Sequence, residues 1–272
     1  MTRRRRLLAL AAVVGMLALS GCLGLLTGGS VPDQRLDAEP PDGAYAWNES
    51  VDDDLNAHIT VRDDATFSAV YAVDGDEIRL FRRDGLGGTN PLGVRAVRYR
   101  YPNGTVINGT QLRERGDVDQ TRDEVVIELP GEGDVEGDRI AFSADSTPKR
   151  FALPAYVNGS YELVLPQNRR TSLPVFGDIT PAPASTSIDD RGRQHIRWDE
   201  VDTDSVIVQF YLPQDVQIFG GVFAVFVVIA VGGLLYYRRQ IDALRERREE
   251  MGLDVDVDDD DIGDDGPPPG MR

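Results

Sequence analysis

The chain has 272 residues, with 46 acidic against 29 basic ones and a formal net charge of -17. So acidic a chain lacks the basic stripe that nucleic acid demands, which argues against that class of partner. Its single cysteine, Cys22, rules out an internal disulfide framework, so an exported domain here must rely on its core.

The charge is unevenly distributed. Residues 1–21 hold four arginines and no acid, and the stretch after Tyr237 holds six arginines and twelve acids. Residues 22–237 carry 34 acids against 19 basic residues. One lysine, Lys149, stands beside 28 arginines. An acid-rich, lysine-poor chain reads as that of a salt-loving archaeal protein. Self-repulsion largely vanishes in such a cell, because the screening length falls to about 3 Å at 1 M salt.

Residues 1–21 read as a signal peptide: a basic run to Arg6, an apolar run from Leu7 to Leu19, then the small pair Ser20-Gly21. Cys22 follows Leu19-Ser20-Gly21 as in the lipobox of exported lipoproteins, where the thiol receives the lipid. Thr2-Arg3-Arg4 ahead of Leu7-Leu8 resembles a loose twin-arginine export signal. The apolar run continues through Leu23, Leu25 and Leu26, so an uncleaved signal anchor is the alternative. Both readings start with the N-terminus inside the cell. Residues 22–43, with Thr27-Gly28-Gly29-Ser30, Pro32, Pro40 and Pro41, read as a flexible tether reaching at most ~70 Å.

From residue 44 the chain reads as strands and turns. Strands are predicted at 58–61, 66–73, 77–83, 94–101, 105–107, 125–129, 139–143, 161–165, 193–198 and 205–212, rich in Val, Ile, Tyr and Phe and bounded by turn residues. Val97, Tyr99 and Tyr101 alternate with Arg98 and Arg100, the period of a half-buried strand. Asn103-Gly104 and Asn158-Gly159 suit two-residue hairpin turns. The expected architecture is an all-β ectodomain, an antiparallel β-sandwich over 44–146, with 147–213 as a second small β-domain or a continuation. Within the latter, 167–187 reads as a long loop. Asn48, Asn103, Asn108 and Asn158 each begin a glycosylation sequon; turn chemistry explains the three Asn-Gly ones equally well.

Residues 218–237 contain no charge and span about 30 Å as a helix, the thickness of a bilayer core. Tyr236-Tyr237 form an aromatic belt at one end. Arg238, Arg239, Arg245, Arg247 and Arg248 follow, whereas Glu200, Asp202, Asp204 and Asp215 precede. By the positive-inside rule this transmembrane helix leaves the C-terminus in the cytoplasm. Residues 238–252 should continue as a helical stalk with an Arg245–Glu249 pair, stopped at Gly252, and the acidic stretch 253–272 should be disordered.

Catalytic and metal patterns fail where they are tempting. Asp254, Asp256 and Asp258 suggest a calcium loop, but Asp259 replaces the required glycine and no glutamate closes the loop. Asp52-Asp53-Asp54 reads as solvated acid. His58 and His195 are the chain's two histidines, outside any zinc spacing, and read as strand histidines. No cofactor is expected. One constellation remains: Arg82, Arg83, Arg95, Arg98 and Arg100 concentrate positive charge on adjoining strands. Either they contact an anionic glycan or acidic partner, with Arg98 and Arg100 in front, or they pair with neighbouring carboxylates.

The segments Arg98-Tyr-Arg-Tyr-Pro-Asn-Gly-Thr105, Pro148-Lys-Arg-Phe-Ala-Leu-Pro154, Tyr236-Tyr-Arg-Arg-Gln240 and Gly266-Pro-Pro-Pro-Gly-Met-Arg272 make the chain resemble a family of uncharacterised haloarchaeal membrane lipoproteins, defined by a domain of unknown function. The resemblance implies no activity and no catalytic residue. The expectation is a non-enzymatic, membrane-anchored envelope module that binds or assembles a surface protein or glycan. The alternative is a signal-relaying or accessory subunit of a membrane complex, working through its stalk and tail.

Overall fold

Period-two burial is the local rule of this chain. In 95–100, Val97 and Tyr99 are fully buried while Arg98 and Arg100 stay half exposed. In 57–61, Ala57, Ile59 and Val61 point inward and His58 and Thr60 outward. The computed structural model describes residues 29–47, 55–130, 137–250 and 252. The signal segment with Cys22, the sequon asparagine Asn48, Asp52 to Asp54, the Glu249 side chain and the acidic tail from 253 lie outside them.

In chain order the elements are β1 (Gly29–Ser30), α1 (Asp33–Leu36), a 3-10 turn (Pro41–Gly43), β2 (Ala57–Val61), β3 (Thr66–Ala72), β4 (Glu77–Arg83), β5 (Thr89–Pro91), β6 (Arg95–Arg100) and β7 (Val106–Asn108). Then follow α2 (Gly109–Arg115), β8 (Asp117–Gln120), β9 (Val125–Glu128), β10 (Arg139–Asp145), β11 (Arg150–Pro154), β12 (Gly159–Val164), β13 (Asp178–Thr180), β14 (Ser185–Ile188), β15 (Gln194–Val201), β16 (Ser205–Gln209) and α3 (Pro213–Glu250). The chain divides into two units, Met1–Pro213 and Gln214–Arg272.

The first unit is a two-layer sandwich. An eight-stranded sheet in the order β14-β15-β12-β2-β3-β10-β6-β7 forms one layer. The other layer comprises a five-stranded sheet, β1-β8-β9-β4-β5, and a three-stranded sheet, β11-β16-β13. One apolar cluster joins all three: Phe67, Phe142, Tyr161 and Trp198 from the large sheet, Leu80 and Ile127 from the second, Phe151 and Val208 from the third. Several of its aromatic rings meet edge to face, as between Phe67 and Phe151 at 5.4 Å, the geometry that ring quadrupoles favour.

Several expectations change. Strands from both sides of residue 146 share the large sheet, within the one unit Met1–Pro213. One pair departs from the antiparallel rule: β2 and β12 run parallel, Glu162 lying beside His58. Residues 167–187 are not simply loop, since β13 and the start of β14 lie within them. Between β6 and β7 Gly104 takes φ +83°, and Asn103 is not left-handed, so this hairpin turns on 102–104. Asn158-Gly159 is no hairpin at all, because β11 and β12 belong to different sheets. Gly159 is required there for another reason: a Cβ would stand 2.2 Å from Asn56 Oδ1.

The largest correction concerns the tether. Of the expected tether 22–43, the described residues 29–43 are packed, not loose. Val31 and Leu36 are fully buried in the main core, and β1 extends the five-stranded sheet. Leu36 lies so close to α2 that a Cβ on Gly109 would stand 2.7 Å from the Leu36 Cβ. Tyr45 and Trp47 cover Val70, Ala96 and Ala141 on the outer face of the large sheet. The Tyr45 hydroxyl donates to the Ala96 carbonyl at 2.7 Å. Few apolar residues, set among prolines and aspartates, are enough because each meets a partner distant in sequence.

The second unit contains α3. It is long and apolar enough to cross a membrane, and none of its apolar window is buried. The helix runs unbroken to Glu250, and Gly252 takes φ +66°, the left-handed stop.

Candidate functional site

The five arginines singled out in the sequence do not form one site. Arg98 is a structural clamp: its guanidinium donates to the carbonyls of Leu36 (3.3 Å), Val97 (2.8 Å), Asp37 (3.4 Å) and Ala38 (2.9 Å). A side chain spent on four backbone acceptors does not reach out to an anion, and that expectation for Arg98 is corrected. Arg100 lies on the same face, in register with Arg139 and Val106. Arg95 pairs with Asp145. Arg82 donates Nη2 to the Asp145 carbonyl, and Arg83 stands 3.6 Å from Asp204.

Arg82 and Arg83 also line a cleft of about 320 Å³ that the sequence did not reveal. Its floor is the outward face of β11 and β16, where Arg150 and Ala152, Ser205 and Ile207 alternate with the buried Phe151 and Leu153, Val206 and Val208. Register places Ala152 across from Ile207 and Pro154 across from Ser205. The wall is the end of β4 and its hairpin, with Asp84 and Gly85. Arg150 and Thr147 line the cleft as well. Asp84 is occupied within its own hairpin, where Oδ1 accepts from the N–H groups of Leu86 (2.9 Å) and Gly88 (2.8 Å). Arg150 opens β11, a five-residue strand that ends at Pro154 and carries no clear alternating signal in the sequence.

A second constellation lies on the outer face of the large sheet. Parallel pairing sets Glu162 beside His58, and the antiparallel β12–β15 pair brings His195 diagonally across. Glu162 accepts from His58 Nδ1 at 3.1 Å and from His195 Nδ1 at 3.0 Å. His195 Nε2 lies 3.4 Å from Asp189, which also takes the Arg193 guanidinium at 2.7 Å. Because an ionised carboxylate only accepts, both Nδ1 atoms carry hydrogen. These hydrogen bonds, first that from His58, overcome burial and hold the Glu162 carboxyl down at about 2. Burial alone would raise Asp189, but the Arg193 backbone and side chain and His195 hold it below the usual range. Both histidines are strand histidines, as expected, yet they share one carboxylate. No local motif signals this, because the three residues are up to 137 positions apart. Among the described residues no group of three or more His, Cys, Asp or Glu is arranged to hold a metal.

The described sequons sit at or beside the ends of elements. Asn103 is exposed and accepts from the Thr105 N–H at 2.9 Å. Asn158 is exposed before Gly159. Asn108 is a helix cap: it accepts from the Gln111 N–H at 2.9 Å, and Gln111 Oε1 accepts from the Asn108 N–H in return. That reciprocal box, Asn108 with Gln111 three residues on, is the local sequence signal for α2.

A family described as one of unknown function (DUF5803) matches residues 53–256. No curated protein matches the chain. Among solved structures it is similar to an M1 zinc metallopeptidase from Deinococcus radiodurans, a mutant bound to a Tyr-Ser-Ala substrate. The identity is 12%, over 56% of this chain and 40% of that one, with a TM-score of 0.31. A likeness at that score carries no argument.

Proposed function

We propose that this chain, which belongs to the family of unknown function DUF5803, is an exported, membrane-anchored envelope lipoprotein of a salt-adapted archaeon. Its β-sandwich acts outside the cell as a binding or assembly module and performs no catalysis. The observation that carries the reading is the surface of α3. Val225, Phe226, Val227, Val228 and Ile229 are all exposed, and five consecutive helical positions face every side. An apolar surface that size, all round a helix, is stable against lipid chains and untenable in water.

Further support comes from the charge pattern. Five arginines crowd the C-terminal side of the span and acids the N-terminal side, which orients the sandwich outward. Cys22 after Leu19-Ser20-Gly21 is the lipid attachment point, and a lipid there adds to a helix that already retains the protein. A packed sandwich at the outer face has the rigidity to present a binding surface.

External protease applied to intact cells is expected to degrade the sandwich and spare an epitope at the C-terminus. Loss of the C-terminal epitope with the sandwich intact would overturn the orientation. Mass analysis of the N-terminal peptide should find a lipidated Cys22. Cross-linking in intact cells should recover a surface protein or glycan, and a consistently empty result would count against a binding role.

A further inference from the structure

We infer that the cleft walled by Arg82, Arg83 and Arg150 binds an acidic sugar residue, its carboxylate or sulfate held by the guanidinium groups. The inference rests on the envelope reading above and gives its binding surface a ligand class. Three arginines line one concavity of a chain whose net charge is -17. They approach from two elements, Arg82 and Arg83 on β4 and Arg150 on β11, so the strands rather than one flexible loop position them.

Arg82 is only partly used. Nη2 donates to the Asp145 carbonyl, yet Nε is buried without a hydrogen-bond partner. A buried N–H without an acceptor is unfavourable. The nearby carboxylates are engaged as follows. Asp84 is held by its own hairpin, Asp145 pairs with Arg95, and Asp204 is an exposed partner 3.6 Å from Arg83. Guanidinium groups hold carboxylate and sulfate oxygens in the paired geometry that their planar fork suits.

The rest of the lining indicates what carries the anion. Ala152, Pro154 and Ile207 offer a small apolar floor, and Thr147 and Ser205 add hydroxyls. Such a mixture suits a compact ring with both C–H and O–H edges. The volume, about 320 Å³, lies at the small end of ligand pockets and has room for a mono- or disaccharide. An acidic peptide fits less well. Peptides added to sheets bind along a strand edge, whereas this lining is the side-chain face of β11 and β16.

The test is calorimetric titration of the full chain in nanodiscs with glucuronate, glucose 6-sulfate, glucose and a tetraglutamate peptide. Glucuronate, the sulfated sugar or both should bind, and the two arms identify the anion. Glucose should not bind. Arg150→Ser and Arg83→Ser should each weaken binding tenfold or more. Gly85→Tyr supplies a variant independent of charge: nothing lies within 4 Å of a Cβ there, so the substitution fits the fold while narrowing the cleft. It should weaken binding at an unchanged melting temperature. The proposal is overturned if neither acidic sugar binds, if glucose binds equally, or if the variants bind as the parent does. Tetraglutamate binding more tightly than both sugars, and lost in the variants, would reassign the cleft to acidic peptides. None of these outcomes alters the protease topology, so the site and the envelope reading fail separately.

Discussion

Glu162 accepts from both histidines of the chain, and its carboxyl is held at about 2 instead of 4.5. A carboxyl depressed in the folded state contributes stability that is fully present above its unfolded pKa. That contribution is lost as pH falls from about 4.5 through about 2. Glu162→Gln is therefore expected to cost on the order of 2 kcal/mol at neutral pH and nothing at the acid end. Thermal melts across the acid range will show it as a flattened dependence of melting temperature on pH. Parallel curves for parent and variant would refute the role. The histidine triad was not legible in the sequence, because sharing Glu162 depends on a parallel pair joining β2 to β12. Arg98 makes the same point differently. Its place on a half-buried strand could be read from Val97 and Tyr99, but its partners could not, since three are carbonyls in a segment some sixty residues earlier.

Among the elements, residues 29–47 behave least as their composition suggests. Leu36 fills a space against α2 that a methyl group at Gly109 would already occupy, and Arg113 reaches Asp33 and the Val31 carbonyl. Leu36→Ala should destabilise the sandwich by about 3 kcal/mol, the usual loss for a buried leucine. Chemical denaturation of the full chain measures it, and a change within about 0.5 kcal/mol would mean that the segment is dispensable. The ten predicted strands all correspond to observed ones, with ends shifted by a few residues. They were legible because each alternates or concentrates Val, Ile, Tyr and Phe between turn residues. Short strands such as β5, β13 and β14 were not, for they bury little of their own and exist through their neighbours.

At the scale of the whole molecule, the chain combines a sandwich core with a helix that has no core of its own. Val227→Arg, near the middle of the apolar run, should cost about 3 kcal/mol of membrane insertion. The fraction of protein resisting alkaline extraction from membranes should fall accordingly, and undiminished resistance would argue against a span centred there. The sequence by itself determined the β class and the apolar helix, because hydrophobic period and length are local properties that a short window contains. Only the tertiary structure decided that residues 29–47 are packed, that strands on both sides of residue 146 form one unit, and that Arg82, Arg83 and Arg150 face one cleft. These depend on which distant segments share a sheet, and the pairing of strands far apart in the chain is set by the joint packing of the core.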